Sequence, residues 1–220
     1  MITFALTSCG RLDLLERTLD SFFEFNTAPI EKFIISEDDW NADLSHLKIK
    51  YQDKGDFIWL QNGKEQRFGM LRNIDLLYSF IETPFVFHCE DDWEFYRPGF
   101  IEESAAILGS SKEILQVWLR EQNDTNGHPL DEDIYDSNID EKVKFKLVSL
   151  DYLGCFSGYS TNPGLRRLRD KVCFDAISKI GPQQYGPEGR ISMYYRHAGY
   201  RSAITMKGFV KHIGEGRTTL

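Results

Sequence analysis

Short apolar runs alternate with helix-spaced apolar positions along the first hundred residues. Ile2–Leu6 is an apolar run that stops at Thr7-Ser8-Cys9-Gly10. Leu14, Leu15, Thr18, Leu19, Phe22 and Phe23 then recur every three or four residues and predict an amphipathic helix. Asp13 followed by Glu16 reads as a capping box at its start. Phe33-Ile34-Ile35 is the next run, ended by Ser36-Glu37-Asp38-Asp39, and Phe57–Leu60 is a third. Met70, Ile74, Leu77 and Ile81 predict a second helix over about 64–81, broken by Thr83-Pro84. Phe85-Val86-Phe87 then leads into Glu90-Asp91-Asp92. A β-α-β-β-α-β order with short, continuously apolar strands predicts a Rossmann-like α/β unit, a mostly parallel sheet covered by helices.

The pattern is looser downstream. Pro98 opens a short helix that Gly109 closes, and Ile114–Leu119 alternates like a strand. Residues 121–140 are polar and read as loop. Val143, Phe145 and Leu147 alternate with Lys144 and Lys146, as in a half-exposed strand. A glycine-rich run, Leu153 to Gly158, precedes helix-like patterns near 164–179 and 188–198, with Gly199 at a helix C′ position. Tyr200–Ile204 reads as a final strand, and the tail from Lys207 carries His212. No linker interrupts the chain, so the second half is expected to complete the same domain.

Composition narrows the class. With 41% apolar and 27% charged residues in 220, the chain is expected to be a soluble globular protein. A net charge of −8 lacks the basic footprint a nucleic-acid binder needs, so no nucleic-acid partner is expected. No apolar run approaches the roughly 20 residues of a membrane span. The opening residues lack the pattern of a secretory signal, and Cys9, Cys89, Cys155 and Cys173 show no CxxC spacing. A cytoplasmic location is expected on these grounds.

The charge is also uneven. Residues 163–220 contain eleven Lys and Arg against four acids, net +7, which leaves −15 for the rest. An acidic part holding a cation and a basic part meeting an anion would give this asymmetry, and so would a solvated basic helix pair. The run from Asp131 to Glu141, with six acids and no base, reads as a solvated loop.

Two carboxylate clusters carry the chemistry. Glu90, Asp91 and Asp92 sit at a strand exit, where ligands of open α/β sheets bind. Three adjacent carboxylates repel one another unless a cation balances them, and hard oxygen ligands suit Mg²⁺ or Mn²⁺. An exposed acidic turn is the alternative. Glu37, Asp38 and Asp39 sit at another exit. They could form a second metal cluster, accept from a base or ribose, or start an Asx-type loop. Between them, Arg67 and Arg72 lie near a helix start that would favour anions. GxxxxGK[ST], HExxH and GxSxG are all absent, and Gly214-Glu-Gly216 is too short for a dinucleotide fingerprint.

Taken together, these motifs resemble an inverting GT-A glycosyltransferase of the family 2 type. Ile2 through Leu15 is similar to that family's first strand, turn and helix, which implies donor contacts at Thr7, Ser8 and Arg11. Ile34-Ile35-Ser36-Glu37-Asp38 is similar to its second-strand acidic exit, implying that Glu37 or Asp38 meets base or ribose. Gly63 through Asn73 resembles its Gly-x-x-x-Ala-Arg-Asn stretch, so Arg72, and less directly Arg67, would face the diphosphate. Glu90-Asp91-Asp92 resembles its DXD-type motif, implying that Asp92 binds metal while Glu90 and Asp91 face ribose or bound water. Tyr185 through Tyr200 resembles the acidic segment before a helix ending in Ala-Gly-Tyr, which makes Glu188 the implied catalytic base. Lys211-His212-Ile213-Gly214 is similar to a C-terminal motif whose His completes metal coordination. Phe156-Ser157-Gly158 and Asn162-Pro163 would shape the acceptor side.

The resemblance implies one GT-A domain over 1–220, with residues 1–100 binding the nucleotide-diphosphate sugar and 101–220 the acceptor. It further implies a divalent metal, Mn²⁺ or Mg²⁺, a donor that is a UDP-sugar first, and a glycan or lipid-linked saccharide acceptor. A sugar nucleotidyltransferase and a non-enzymatic glycan-binding protein are the competing readings. The first would need a basic glycine-rich loop that Ser8-Cys9-Gly10-Arg11 matches poorly. The second would leave two carboxylate clusters at strand exits without a purpose.

Overall fold

The computed structural model describes residues 1–62, 67–150, 157–182 and 184–217. The part of the Gly63–Asn73 motif at 63–66 and the glycine-rich stretch at 153–156, Phe156 included, lie outside the described residues. The first half runs β1 (Ile2–Ser8), α1 (Leu12–Phe25), β2 (Lys32–Glu37), α2 (Ser45–Tyr51), β3 (Phe57–Gln61), α3 (Met70–Ser79), β4 (Phe85–Glu90), β5 (Trp93–Phe95). It continues with α4 (Phe100–Ser110), β6 (Ile114–Trp118), β7 (Tyr135–Asp136), β8 (Lys144–Leu147), β9 (Gly164–Arg167) and α5 (Phe174–Ile177). The chain closes with α6 (Pro187–His197), β10 (Arg201–Thr205) and β11 (Val210–His212).

Nine strands form one sheet in the order β3-β2-β1-β4-β9-β6-β10-β8-β7. Only β9 and β8 run against the other seven, so the sheet is mostly parallel in direction. The inner strands are apolar on both sides because each side is covered. Phe4, Leu6, Phe33, Ile35 and Phe87 join one core cluster, and Ala5, Ile34 and Val86 join the other. This is the period-two alternation of a pleated strand with apolar residues at every position.

Phe22 of α1 organises the first cluster. Its ring lies 4.2 Å from Phe4 and within 6.2 Å of Phe33, Phe87, Phe95 and Phe100. Truncating a ring so enclosed costs about 3–5 kcal/mol. The same helix face carries Thr18 and Ser21, whose hydroxyls accept from the amides of Trp93 (3.2 Å) and Phe95 (3.1 Å). These polar positions fasten β5 to the helix. A separate two-stranded ribbon, β5 with β11, pairs Trp93 with His212.

Two local expectations are corrected. Asp13 does not cap α1: the N-cap position is Arg11, whose side chain makes no capping bond to the helix, and Asp13 instead pairs with Arg217. The helix expected over 164–179 is instead β9, a 3-10 turn at Leu168–Asp170 and the short α5. Gly164 permits the strand, since a Cβ there would stand 2.7 Å from the Val117 carbonyl. Arg166 and Arg167 tolerate burial because backbone oxygens of Asn162, Ile114 and Ser111 accept from them.

One titratable group is buried at the sheet centre. His88 of β4 is fully enclosed, neither ring nitrogen has a partner among the described residues, and its ring meets Tyr78 edge-on at 5.7 Å. Burial, reinforced by the charge of Arg166, holds the imidazole well below its usual value. Above pH ~6.5 both folded and unfolded chains keep it neutral; below, only the unfolded chain takes up the proton. Stability therefore falls as pH drops from about 6.5, by up to ~1.4 kcal/mol per pH unit from this residue. Urea unfolding of wild type and His88→Phe at pH 7.5, 6.0 and 5.0 checks this. The wild type should lose stability relative to the variant at each step down, and a constant difference would show that His88 is not the source.

Candidate functional site

The parallel register brings the two acidic clusters to one place. Thr7 of β1 is level with Ser36 on one side and Glu90 on the other, and Ser8 is level with Glu37. The three strand exits therefore open on one crevice of about 530 Å³. From β1 and its turn, Thr7, Ser8 and Arg11 line it; from the β2 side, Asp38 and Arg67. Glu90, Asp91 and Asp92 line it beyond β4, and the β5–β11 ribbon adds His212.

Arg11 sits among the β4 carboxylates. Its guanidinium forks onto Asp91, with Nε 3.2 Å from Oδ2 and Nη2 on Oδ1, and its Nη1 donates to Asp92 Oδ2 at 2.8 Å. Ser8 Oγ donates to Asp91 Oδ2 at 3.0 Å. Removal from water pushes the Asp91 carboxyl up to about 6, and Arg11 opposes that rise. Glu90 has no such cation. Burial first, then the charges of Asp92 and Glu188, push it up to about 8, while the Trp93 indole N–H opposes.

The tail is built onto Asp92. Ile213 N donates to the Asp92 carbonyl at 2.8 Å, and a Cβ on Gly214 would run into the Asp92 carboxylate. His212 Nε2 stands 3.2 Å from Asp92 Oδ2. Two adjacent ligands on an ion with bonds of about 2.1 Å lie about 3 Å apart, so this pair fits one cation. Among the described residues no group of three or more such side chains converges. Mg²⁺ and Mn²⁺ chemistry asks for no more, because such ions keep waters and share phosphate oxygens.

The β2 cluster behaves differently. Asp38 is buried and its carboxylate is already used: Oδ1 accepts from Phe68 N (2.8 Å) and Asn62 Nδ2, and Oδ2 from Gly69 N (2.8 Å). It therefore shapes the 67–69 segment at the crevice wall, with Asn62, Asn73 and Ser36 in the same network. Glu37 Oε1 accepts from Gly10 N and Asp39 N, both at 2.7 Å, while its buried Oε2 has no partner among the described residues. Arg67 pairs with Asp39 at 3.0 Å.

Three expected residues lie off the crevice wall: Glu37, which is fully buried behind it, Arg72 and Glu188. Arg72, on the first turn of α3, is more than half exposed and pairs with Asp175 at 3.3 Å. Glu188, on the first turn of α6, accepts from Thr161 N (2.9 Å) and Thr161 Oγ1 (2.6 Å) at one oxygen. It stays close enough for its charge to raise Glu90. Sequence reasoning missed Asn62, Gly69 and Thr161. Only the amide-rich Gln-Asn and Arg-Asn pairs at 61–62 and 72–73 hinted at a polar network.

No protein-family model matches the chain, and no curated protein sequence matches it. Solved structures do match it in shape. S. aureus TarS 1-349 in complex with UDP-GlcNAc superposes with a TM-score of 0.62 at 12% identity, over 99% of this chain and 62% of that one. TarS 1-349 alone gives 0.61 at 13%, over 95% and 59%. The mannosyltransferase PcManGT from Pyrobaculum calidifontis, in complex with GDP-Man and Mn²⁺, gives 0.61 at 10%, over 98% and 57%. The chain thus spans less than two thirds of the length of these structures. The likeness is one of fold, a mostly parallel central sheet flanked by helices over nearly the whole chain: the protein has a GT-A fold.

Proposed function

We propose that the protein is an inverting, metal-dependent glycosyltransferase that takes its sugar from a nucleotide-diphosphate donor, a UDP-sugar in the first instance. The observation that carries this reading is the convergence of Ser8, Arg11, Asp92 and His212 on one crevice at the strand exits of a GT-A fold. The neighbours' bound UDP-GlcNAc and GDP-Man support a donor of that class.

Asp92 and His212 would hold the divalent cation, which supplies charge neutralisation to the departing diphosphate. Thr7 and Ser8 would meet the nucleotide at the end of β1. Glu37 would take a base N–H or ribose hydroxyl on its buried Oε2, which has no partner among the described residues, relieving a desolvation cost of about 1–3 kcal/mol. Arg67 would face the diphosphate from the 67–69 segment that Asp38 fixes. Arg72, held by Asp175 on the outer face of α3, takes no part in this reading. Glu188 would accept the acceptor hydroxyl's proton as that oxygen attacks the anomeric carbon from the face opposite the diphosphate. Thr161 orients that carboxylate through both of its bonds. The acceptor would be a glycan or lipid-linked saccharide; among the described residues no helix is long and apolar enough to cross a membrane.

Calorimetric titration of UDP and GDP, each with and without Mn²⁺, tests the donor site. Metal-dependent binding of one of them is expected, and binding of neither would end the reading. Glu188→Gln keeps an acceptor oxygen for Thr161 and removes only the base, so turnover should fall by about 10²–10⁴ with diphosphate affinity nearly unchanged. Near-normal turnover would displace Glu188 from that role. Asp38→Ala should lower stability by about 1–3 kcal/mol in urea unfolding, because the buried Asn62 amide and the part-buried amides of Phe68 and Gly69 lose their acceptor. It should also weaken diphosphate binding through the loosened 67–69 segment; unchanged stability would contradict the clamp.

A further inference from the structure

Arg11 makes contacts of unequal kind with two carboxylates. Its fork on Asp91 is bidentate and enclosed, with Asp91 almost wholly shielded from solvent. Its arm on Asp92 is a single bond from Nη1, to the same oxygen that faces His212. A cation held by Asp92 and His212 would share that oxygen with a guanidinium, and two positive groups on one acceptor repel. The fork on Asp91 does not depend on the Asp92 arm, so a tilt of the whole planar guanidinium about that fork would draw Nη1 off Asp92 while the side chain stays anchored.

We propose that Arg11 is an exchangeable counter-cation: it occupies Asp92 in the free protein, yields that oxygen to a divalent cation, and then turns Nη1 to the donor's diphosphate. The inference rests on the donor-site reading above and concerns how metal and diphosphate binding are linked. Two carboxylates and one guanidinium leave one net negative charge. A divalent cation reverses it to one net positive charge, which the diphosphate oxygens answer. Arg11 already lines the crevice, so the freed group needs no large movement.

The tail takes part in the exchange. Arg11 Nη1 also lies 3.3 Å from the Arg217 carbonyl, and Arg217 is fixed to Asp13, with Nη2 3.0 Å from Oδ1. The segment from His212 to Arg217 is thus tied to the first turn of α1 through Asp13 and to the free-state position of Nη1. Each ligand alone binds against the resident contact, and both together replace it, which is positive coupling in the thermodynamic sense.

Mn²⁺ binding followed by the electron paramagnetic resonance signal of free Mn²⁺, with and without UDP or GDP, separates the possibilities without measuring turnover. In wild type, the nucleotide that binds should tighten Mn²⁺ by about tenfold or more. Arg11→Met should bind Mn²⁺ alone about tenfold more tightly than wild type and retain less than about a third of that coupling. Arg11→Lys keeps a cation beside Asp91 but cannot span both carboxylates. It should shift in the same direction, and it serves as the test if Arg11→Met does not fold. Coupling in wild type with no tightening of Mn²⁺ in either variant would overturn the exchange while leaving the donor site standing. Failure of wild type to take up Mn²⁺ with either nucleotide would overturn the donor-site reading and the exchange together.

Discussion

Asp91 and Asp92 stand at the end of a buried strand, where water cannot screen them, and the guanidinium of Arg11 is what makes that arrangement tolerable. Much of the surrounding structure serves this contact. The parallel register of β1 with β4 sets the turn that carries Arg11 beside the carboxylates. Gly10, at φ +69°, bends the chain there, and its amide is taken by Glu37. Thr18 accepts the Trp93 amide and donates to the Asp91 carbonyl, which fixes the acidic turn from below. The β5–β11 ribbon then brings His212 to the far side of the same carboxylate. A buried charge cluster of this kind is costly, and such clusters gather at functional sites.

How far the sequence reveals this depends on whether the deciding contacts are local. Strands β1, β2 and β4 are legible because strands covered on both sides need apolar residues throughout, and such runs stand out. The acidic clusters are legible for the same reason, since they follow those runs. Strand β9 is not legible. Leu165 and Leu168 have helical spacing, and the backbone oxygens that make burial of Arg167 possible come from Leu108, Ser111 and Ile114, more than fifty residues away. Strands β5 and β11 have three residues each, too few for any periodicity to show.

The site residues divide the same way. Arg72 belongs to the right motif, but the helical phase of α3 turns it outward to Asp175. Its neighbour Asn73, one position on, faces inward and bonds to Ser36. A hundred-degree step along a helix is all that separates a crevice-side residue from a solvent-side one. Motif spacing alone leaves that phase undecided wherever flanking residues differ from the family pattern. Glu188 stands out in the sequence through its motif, whereas Thr161, which bonds to it from 27 residues away, carries no sequence mark.

The tetrapeptide Glu-Asp-Asp-Trp, which occurs at 37–40 and again at 90–93, shows what decides a carboxylate's role. Both copies follow buried strands and open on the same crevice. After the first, the chain loops back and the amides of Phe68 and Gly69 return to Asp38, so that carboxylate becomes a structural acceptor. After the second, β5 begins at Trp93, which is buried against Arg120 and His212, and among the described residues no loop amide reaches the carboxylate of Asp91 or Asp92. Side chains answer those acids instead: Arg11, Ser8 and His212. A backbone amide fixed in a loop cannot be exchanged for a ligand without unfolding that loop, whereas a side chain can rotate away. Identical carboxylates thus become scaffold or binding group according to whether main-chain or side-chain donors surround them. By that criterion Asp92, held by Arg11 and His212 alone among the described side chains, is the acid of the two clusters best able to trade its partners for a ligand.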